Sequence, residues 1–307
     1  MYFARKCLLF LVLLGLSQAI WSQDLEPRRW SRLPVGANFI GFAASDSTGD
    51  IFFDPVLQNR DVTLDYAVLG STYIRTFGLF DKLARIDINV PYASGHWQGL
   101  HQGVPRSLRL RGFMDPRIRF SMNLWGAPAL KGREFGQFMA ENPVNTTVGA
   151  AVAIYAPLGE YRQDKLINLG NNRWTLRPQL GILHERYKWE FETTAAAFVY
   201  GDNTEFFPGQ STLSQDPLWS IQGHVIYTFR PGLWTSLSAA YVWGGESKIN
   251  NVPLDDKSEL TVWGLSLGVP ITHMQGLKFV YYRSKTHTDI GSDLDTFQLA
   301  WSLMLGK

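Results

Sequence analysis

Three groups of residues in this 307-residue chain have types and spacings that invite chemistry. Asp216, Ser220 and His224 bring an acid, a hydroxyl and an imidazole close together in sequence, as a hydrolase would need. Proton transfer requires the hydroxyl within ~3 Å of the imidazole, and four residues along a strand separate Ser220 from His224 by ~13 Å. His224 therefore reads as an inward-facing, hydrogen-bonded histidine. Metal-ligand spacings, a phosphate-cradling glycine loop and a Gly-x-Ser-x-Gly elbow are all absent from the sequence. No catalytic, metal-binding or cofactor-binding residue is expected, and no enzyme.

The second group is Arg85, Asp87, Arg117, Arg119, Arg177, Glu190 and Glu192, each alternating with apolar neighbours. On inward faces of a barrel these rows would form a charged constriction that selects solutes, or an ion-pair network that fills and stiffens the lumen. Both readings stay open. The third group is Asn168, Gly170, Asn172 and Arg173, in a loop running into a strand. It would either fold inward as a gate or set the geometry of a turn.

The elements that carry these residues follow from period-two alternation. In Leu83–Ser94, Ile86, Ile88, Val90 and Tyr92 lie opposite Arg85, Asp87 and Asn89; in Phe113–Trp125, Ile118, Phe120, Met122 and Leu124 lie opposite Arg117, Arg119, Ser121 and Asn123. Similar runs at 38–44, 62–77, 146–156, 174–184, 189–200, 218–229, 233–243, 259–269, 277–284 and 295–305 bring the count to about twelve. Apolar residues out and polar residues in is the pattern of an all-β, antiparallel, up-and-down transmembrane β-barrel. Long loops at 45–61, 95–112, 158–173, 201–217, 245–257 and 285–294 alternate with short turns, as external loops and periplasmic turns do. Residues 126–143 depart from that alternation, with a short helix expected around Leu130–Ala140. Aromatic residues gather at the strand ends as two girdles. A soluble β-sandwich would also bury aromatics, but it gives no reason for loop lengths to alternate.

The N-terminus sets the compartment. Arg5 and Lys6 precede an apolar run from Cys7 to Leu16, which is too short to span a bilayer, and Ser17-Gln18-Ala19 provides small residues for cleavage, with Ser22 as a second candidate. The expected layout is a signal peptide over 1–19, a periplasmic segment over 20–35 and an outer-membrane barrel over 36–307. Cleavage removes Arg5, Lys6 and the single Cys, so the net charge falls from +2 to zero and disulfide chemistry and nucleic-acid binding are not expected.

From Asp46 onward the chain resembles the MetA-pathway phenol-degradation family of outer-membrane barrels. The resemblance rests on Val90-Pro91-Tyr92, Gly112-Phe113-Met114-Asp115-Pro116-Arg117, Asn168-Leu169-Gly170-Asn171-Asn172-Arg173-Trp174, Gln215-Asp216-Pro217-Leu218, Gly223-His224, Pro231-Gly232-Leu233-Trp234 and Gly244-Gly245. It implies a barrel that passes aromatic or other apolar compounds. The C-terminus departs from the common aromatic ending, finishing Leu303-Met304-Leu305-Gly306-Lys307. The expected function is passive uptake of small, apolar or aromatic solutes across the bacterial outer membrane. The expected partners are the lipid bilayer, those solutes and the outer-membrane assembly machinery. The rival is a non-transporting structural or surface-binding barrel with a filled lumen.

Overall fold

The computed structural model describes residues 25–53 and 59–305. The expected signal peptide and both candidate cleavage sites lie outside the described residues. No described helix is long and apolar enough to cross a membrane, so any crossing is made by strands.

Twelve antiparallel strands close into a barrel: β1 (Asn38–Phe52), β2 (Asn59–Leu79), β3 (Lys82–His101), β5 (Arg117–Trp125), β6 (Val144–Tyr155), β7 (Thr175–Arg186), β8 (Trp189–Tyr200), β11 (Leu218–Arg230), β12 (Leu233–Gly244), β15 (Ser258–Pro270), β16 (Gln275–Thr286) and β17 (Gly291–Leu305). β17 returns to β1 with Asn38 opposite Leu305, and closure leaves no open edge in the lower wall. β4 (Val104–Phe113) continues the line of β5 above a break at Met114-Asp115-Pro116. β3 pairs with β4 through Tyr92–His101 and with β5 through Ala84–Asn89.

Exposure along each strand inverts that of a water-soluble protein. Leu265 on β15 is 50% exposed while its neighbour Ser266 is 4% exposed, and Phe191 on β8 is outside while Glu190 and Glu192 are buried. An apolar exterior around a polar interior is stable only with lipid outside. Ring pairs such as Tyr92–Phe113, Trp189–Tyr227 and Tyr241–Trp243 stand at the rims of the apolar band.

Two stretches expected as long loops are strand instead. Residues 45–52 and 59–61 prolong β1 and β2, and 95–101 with 104–112 form a hairpin turned by Gln102-Gly103. Both turn residues have positive φ, 53° and 78°, which matches the twist of a two-residue hairpin. Period-two alternation continues there, but outward positions become Asp46, Asp50, Asp65, Arg109 and Arg111, so polarity marks where the wall leaves lipid and not where strand ends. Loops 201–217 and 245–257 also contain strand, as β9 (Asn203–Phe206), β10 (Ser211–Gln215), β13 (Ser247–Ile249) and β14 (Val252–Pro253) make a small external sheet over Phe206, Leu213 and Ile249. Asp256 accepts the Ser247 N–H at 2.7 Å beside it, and burial raises its carboxyl above the ordinary value. The irregular 126–143 connection holds α1 (Gly132–Glu141).

Candidate functional site

The described N-terminal segment, assigned from sequence to the periplasm, lies from Leu25 to Val35 against the inward-facing side chains of the wall. It leaves at the periplasmic end, where Val35 N–H donates to Leu130 O at 2.8 Å and Gly36 N–H to Thr76 O at 2.9 Å.

Trp30 anchors the segment. Its ring is wholly buried and its indole N–H donates to Thr194 Oγ1 at 2.8 Å. The niche exists because β6 and β7 carry glycine where the ring sits: a Cβ at Gly181 would stand 1.8 Å from Trp30 Nε1, and one at Gly149 2.2 Å from its Cε3. A side chain at either position excludes the ring.

The charged residues read from the sequence face inward and meet this segment in two clusters. In the first, Arg85 and Arg119 hold Asp87, the latter at 2.8 Å, while Arg117 (3.3 Å) and Arg119 hold Glu26. Arg29 reaches Asp87 at 3.4 Å. In the second, Glu190 pairs with Arg28 at 2.8 Å, and Glu192 accepts the backbone N–H groups of Arg29 and Trp30 at 3.1 and 3.2 Å. A third pair, Arg32–Glu185 at 2.7 Å, lies nearer the periplasmic end. These charges are buried, so each partner is required by the other: removing one strands the rest in a poorly hydrated interior. Arg177 forms no ion pair among the described residues, although its charge acts on Glu26, and it lies over the Phe198 ring at 4.6 Å.

Sequence reasoning found the wall side of these clusters and missed the plug side. The signal was present as Glu26, Arg28, Arg29, Trp30 and Arg32, a dense charged and aromatic run matching opposite charges on the wall. The two glycines at inward positions of strands, where glycine is disfavoured, marked the niche.

The outer half of the lumen differs in chemistry. Ile51, Leu64, Tyr66, Ala93, Trp97 and Leu294 form one apolar lining, and Tyr155, Phe198, Leu218, Val242 and Val262 form another that Leu25 caps from below. Between the β1–β2 and β3–β4 hairpins lies a cavity of about 170 Å³, lined by Phe53, Val62, Trp97, Leu108 and Ile167 among others.

The loop residues separate into different tasks. Asn168 closes its own loop through Arg162 and Lys165 backbone groups. Gly170 packs on the Gly159 backbone, where a Cβ would lie 2.8 Å from a carbonyl carbon. Asn172 has φ 51° and donates to Asn203 Oδ1 at 3.0 Å. Arg173 turns inward, over Tyr200 at 4.4 Å. Asp115, at the wall break, accepts the N–H groups of Gly159 and Asn171 and so fastens this loop beside β4 and β5.

His224 does not meet Ser220. Its Nδ1 lies 2.7 Å from Ser238 Oγ, and its Nε2 lies 3.1 Å from the Gln222 carboxamide where a hydrolase would place a carboxylate. Among the described residues no group of His, Cys, Asp and Glu could hold a metal ion.

Comparison with known proteins places this architecture. No curated protein matches the chain in sequence. Among solved structures, the COG4313 outer membrane channel from Pseudomonas putida F1 superposes with a TM-score of 0.75 at 21% identity, covering 92% of this chain and 100% of that one. The transport unit of the autotransporter AIDA-I from Escherichia coli superposes with a TM-score of 0.50 at 11% identity, covering 94% of each chain. At those identities the likeness is one of fold. The family model described as MetA-pathway of phenol degradation matches residues 32–293, which carry the wall side of both charged clusters and the loop clasp but not Glu26 to Trp30 or most of β17, and the chain belongs to that family.

Proposed function

We propose that the protein is an outer-membrane channel for passive uptake of small apolar or aromatic solutes, regulated by its N-terminal plug, and that it performs no catalysis. The observation that supports this reading is the division of the lumen: apolar clusters toward the outer end, and beneath them a charged region occupied by the N-terminal segment. Apolar linings lower the cost of taking such solutes out of water, and the rows around Asp87 and Glu192 become a constriction when the plug shifts. Asn168, Gly170, Asn172 and Arg173 then shape the outer mouth as a gate. Signal-peptide-directed export and the outer-membrane assembly machinery deliver the barrel, and the apolar band supports residence in the bilayer.

The fully buried Trp30 favours a second reading, a non-transporting barrel with a filled lumen. Planar-bilayer conductance and liposome uptake of benzene-sized against sugar-sized solutes separate the two. Uptake of the apolar solutes supports the channel; a barrel that inserts but passes neither solute nor current, even with residues 25–35 deleted, supports the filled structure.

A further inference from the structure

Two arginines in the lumen are buried without the direct ion pairs that the other buried charges have, the carboxylates of Glu26 for Arg177 and of Asp115 and Asp202 for Arg173 acting on them only at longer range. Arg173 and Arg177 are 2% and 1% exposed, yet the Nε and Nη1 of each have no hydrogen-bond partner among the described residues, and neither forms an ion pair there. Arg173 keeps one contact, from Nη2 to Gln215 Oε1. Their guanidinium planes rest on Tyr200 and Phe198, at 4.4 and 4.6 Å, and those two rings stack on one another at 6.5 Å. The result is a ladder of arginine, tyrosine, phenylalanine and arginine. Arg177 stands four residues outward of Gly181 along β7, ~13 Å of strand, and Leu25 packs with Phe198, so the first described residues of the plug lie at the inner end of the ladder and Arg173 forms its outer end.

Buried guanidinium donors are almost always satisfied, so these are met by water at rest or by an anion brought in. Arginine presents its donors as a planar fork matched to a carboxylate, and the adjoining rings offer a flat apolar surface beside it. We infer that Arg173 and Arg177 form a binding subsite for carboxylates with an aromatic or apolar body, which the lumen admits head-first against its aromatic shelf. This inference rests on the channel reading and narrows its solute class from apolar compounds in general to apolar compounds that carry an acid group.

The test uses the full chain in detergent and reads binding by calorimetry, without conductance. Benzoate should bind at least about tenfold more tightly than benzyl alcohol, since a charge-assisted pair to a buried arginine contributes on that scale. Arg177→Gln should abolish that preference, Arg173→Gln should reduce it, and Arg177→Lys, which keeps the charge and supports the fold, should retain part of it. Equal binding of benzoate and benzyl alcohol, or an unchanged preference in Arg177→Gln with a parental melting curve, overturns the proposal. Displacement of benzoate by inorganic phosphate at equal concentration also overturns it, because the site would then read charge and not the apolar body. A protein that binds benzoate selectively yet carries no current keeps the subsite and loses the channel.

Discussion

Replacing Trp30 with alanine tests whether the plug controls the lumen. The ring is completely enclosed, contributes one buried N–H bond to Thr194, and fills space left by Gly149 and Gly181. Indole burial removes roughly 200 Å² of apolar surface from water, which at about 25 cal/mol per Å² gives an upper value near 5 kcal/mol. Part of that surface is already covered in the undocked segment, so about 4 kcal/mol is a working figure, in the range of Trp→Ala substitutions in cores. The ratio of docked to undocked plug should fall by roughly a thousandfold. Single-channel recording in planar bilayers should show larger or more frequent open events in Trp30→Ala than in the parent. Gly181→Val reaches the same end from the wall, because its Cβ occupies the ring's position. If both variants insert, melt as barrels and conduct as the parent does, the plug does not govern permeation and the division of the lumen has been misread.

Four further outcomes are expected. A cysteine at Asn250, in the external β13–β14 turn, should label from outside intact cells, and one at Gly232, in a short turn at the opposite end, should not. Leu265→Arg, on the lipid face, should impair assembly by roughly 2 to 4 kcal/mol, read by folding into liposomes, while Leu265→Phe should be near neutral. Replacing Arg117 and Arg119 together with serine should destabilise the plugged state by about 3 to 5 kcal/mol, since Glu26 and Asp87 lose partners while buried; an unchanged melting curve would refute the network. At Asp256 burial raises the folded carboxyl above its ordinary 3.8, so the native loops bind that proton more tightly than the unfolded chain. Its destabilising effect is absent below the ordinary value and grows as pH rises through the folded one, so Asp256→Asn should protect the external sheet from protease at neutral pH and change little below pH ~4.

The alternation of Ile86, Ile88 and Val90 with Arg85, Asp87 and Asn89 determined the wall by itself, because a strand in lipid has only two faces and one must be apolar. For the same reason Glu190, Glu192, Arg117 and Arg119 could be placed inside from local pattern alone, as could the irregular 126–143 connection with its helix. Local pattern could not say where lipid stops, so strand that rises above the membrane as Asp46–Asp50 or Arg109–Arg111 read as loop. Nor could it say what the inward charges face. Glu26 lies 93 residues from Arg119, and Trp30 lies 164 from Thr194; nothing in the local spacing of either residue records its partner. Those partners were decided by closure of the barrel, which brings β3, β5, β7 and β8 around a single volume and leaves a niche at Gly149 and Gly181 that the Trp30 ring fills.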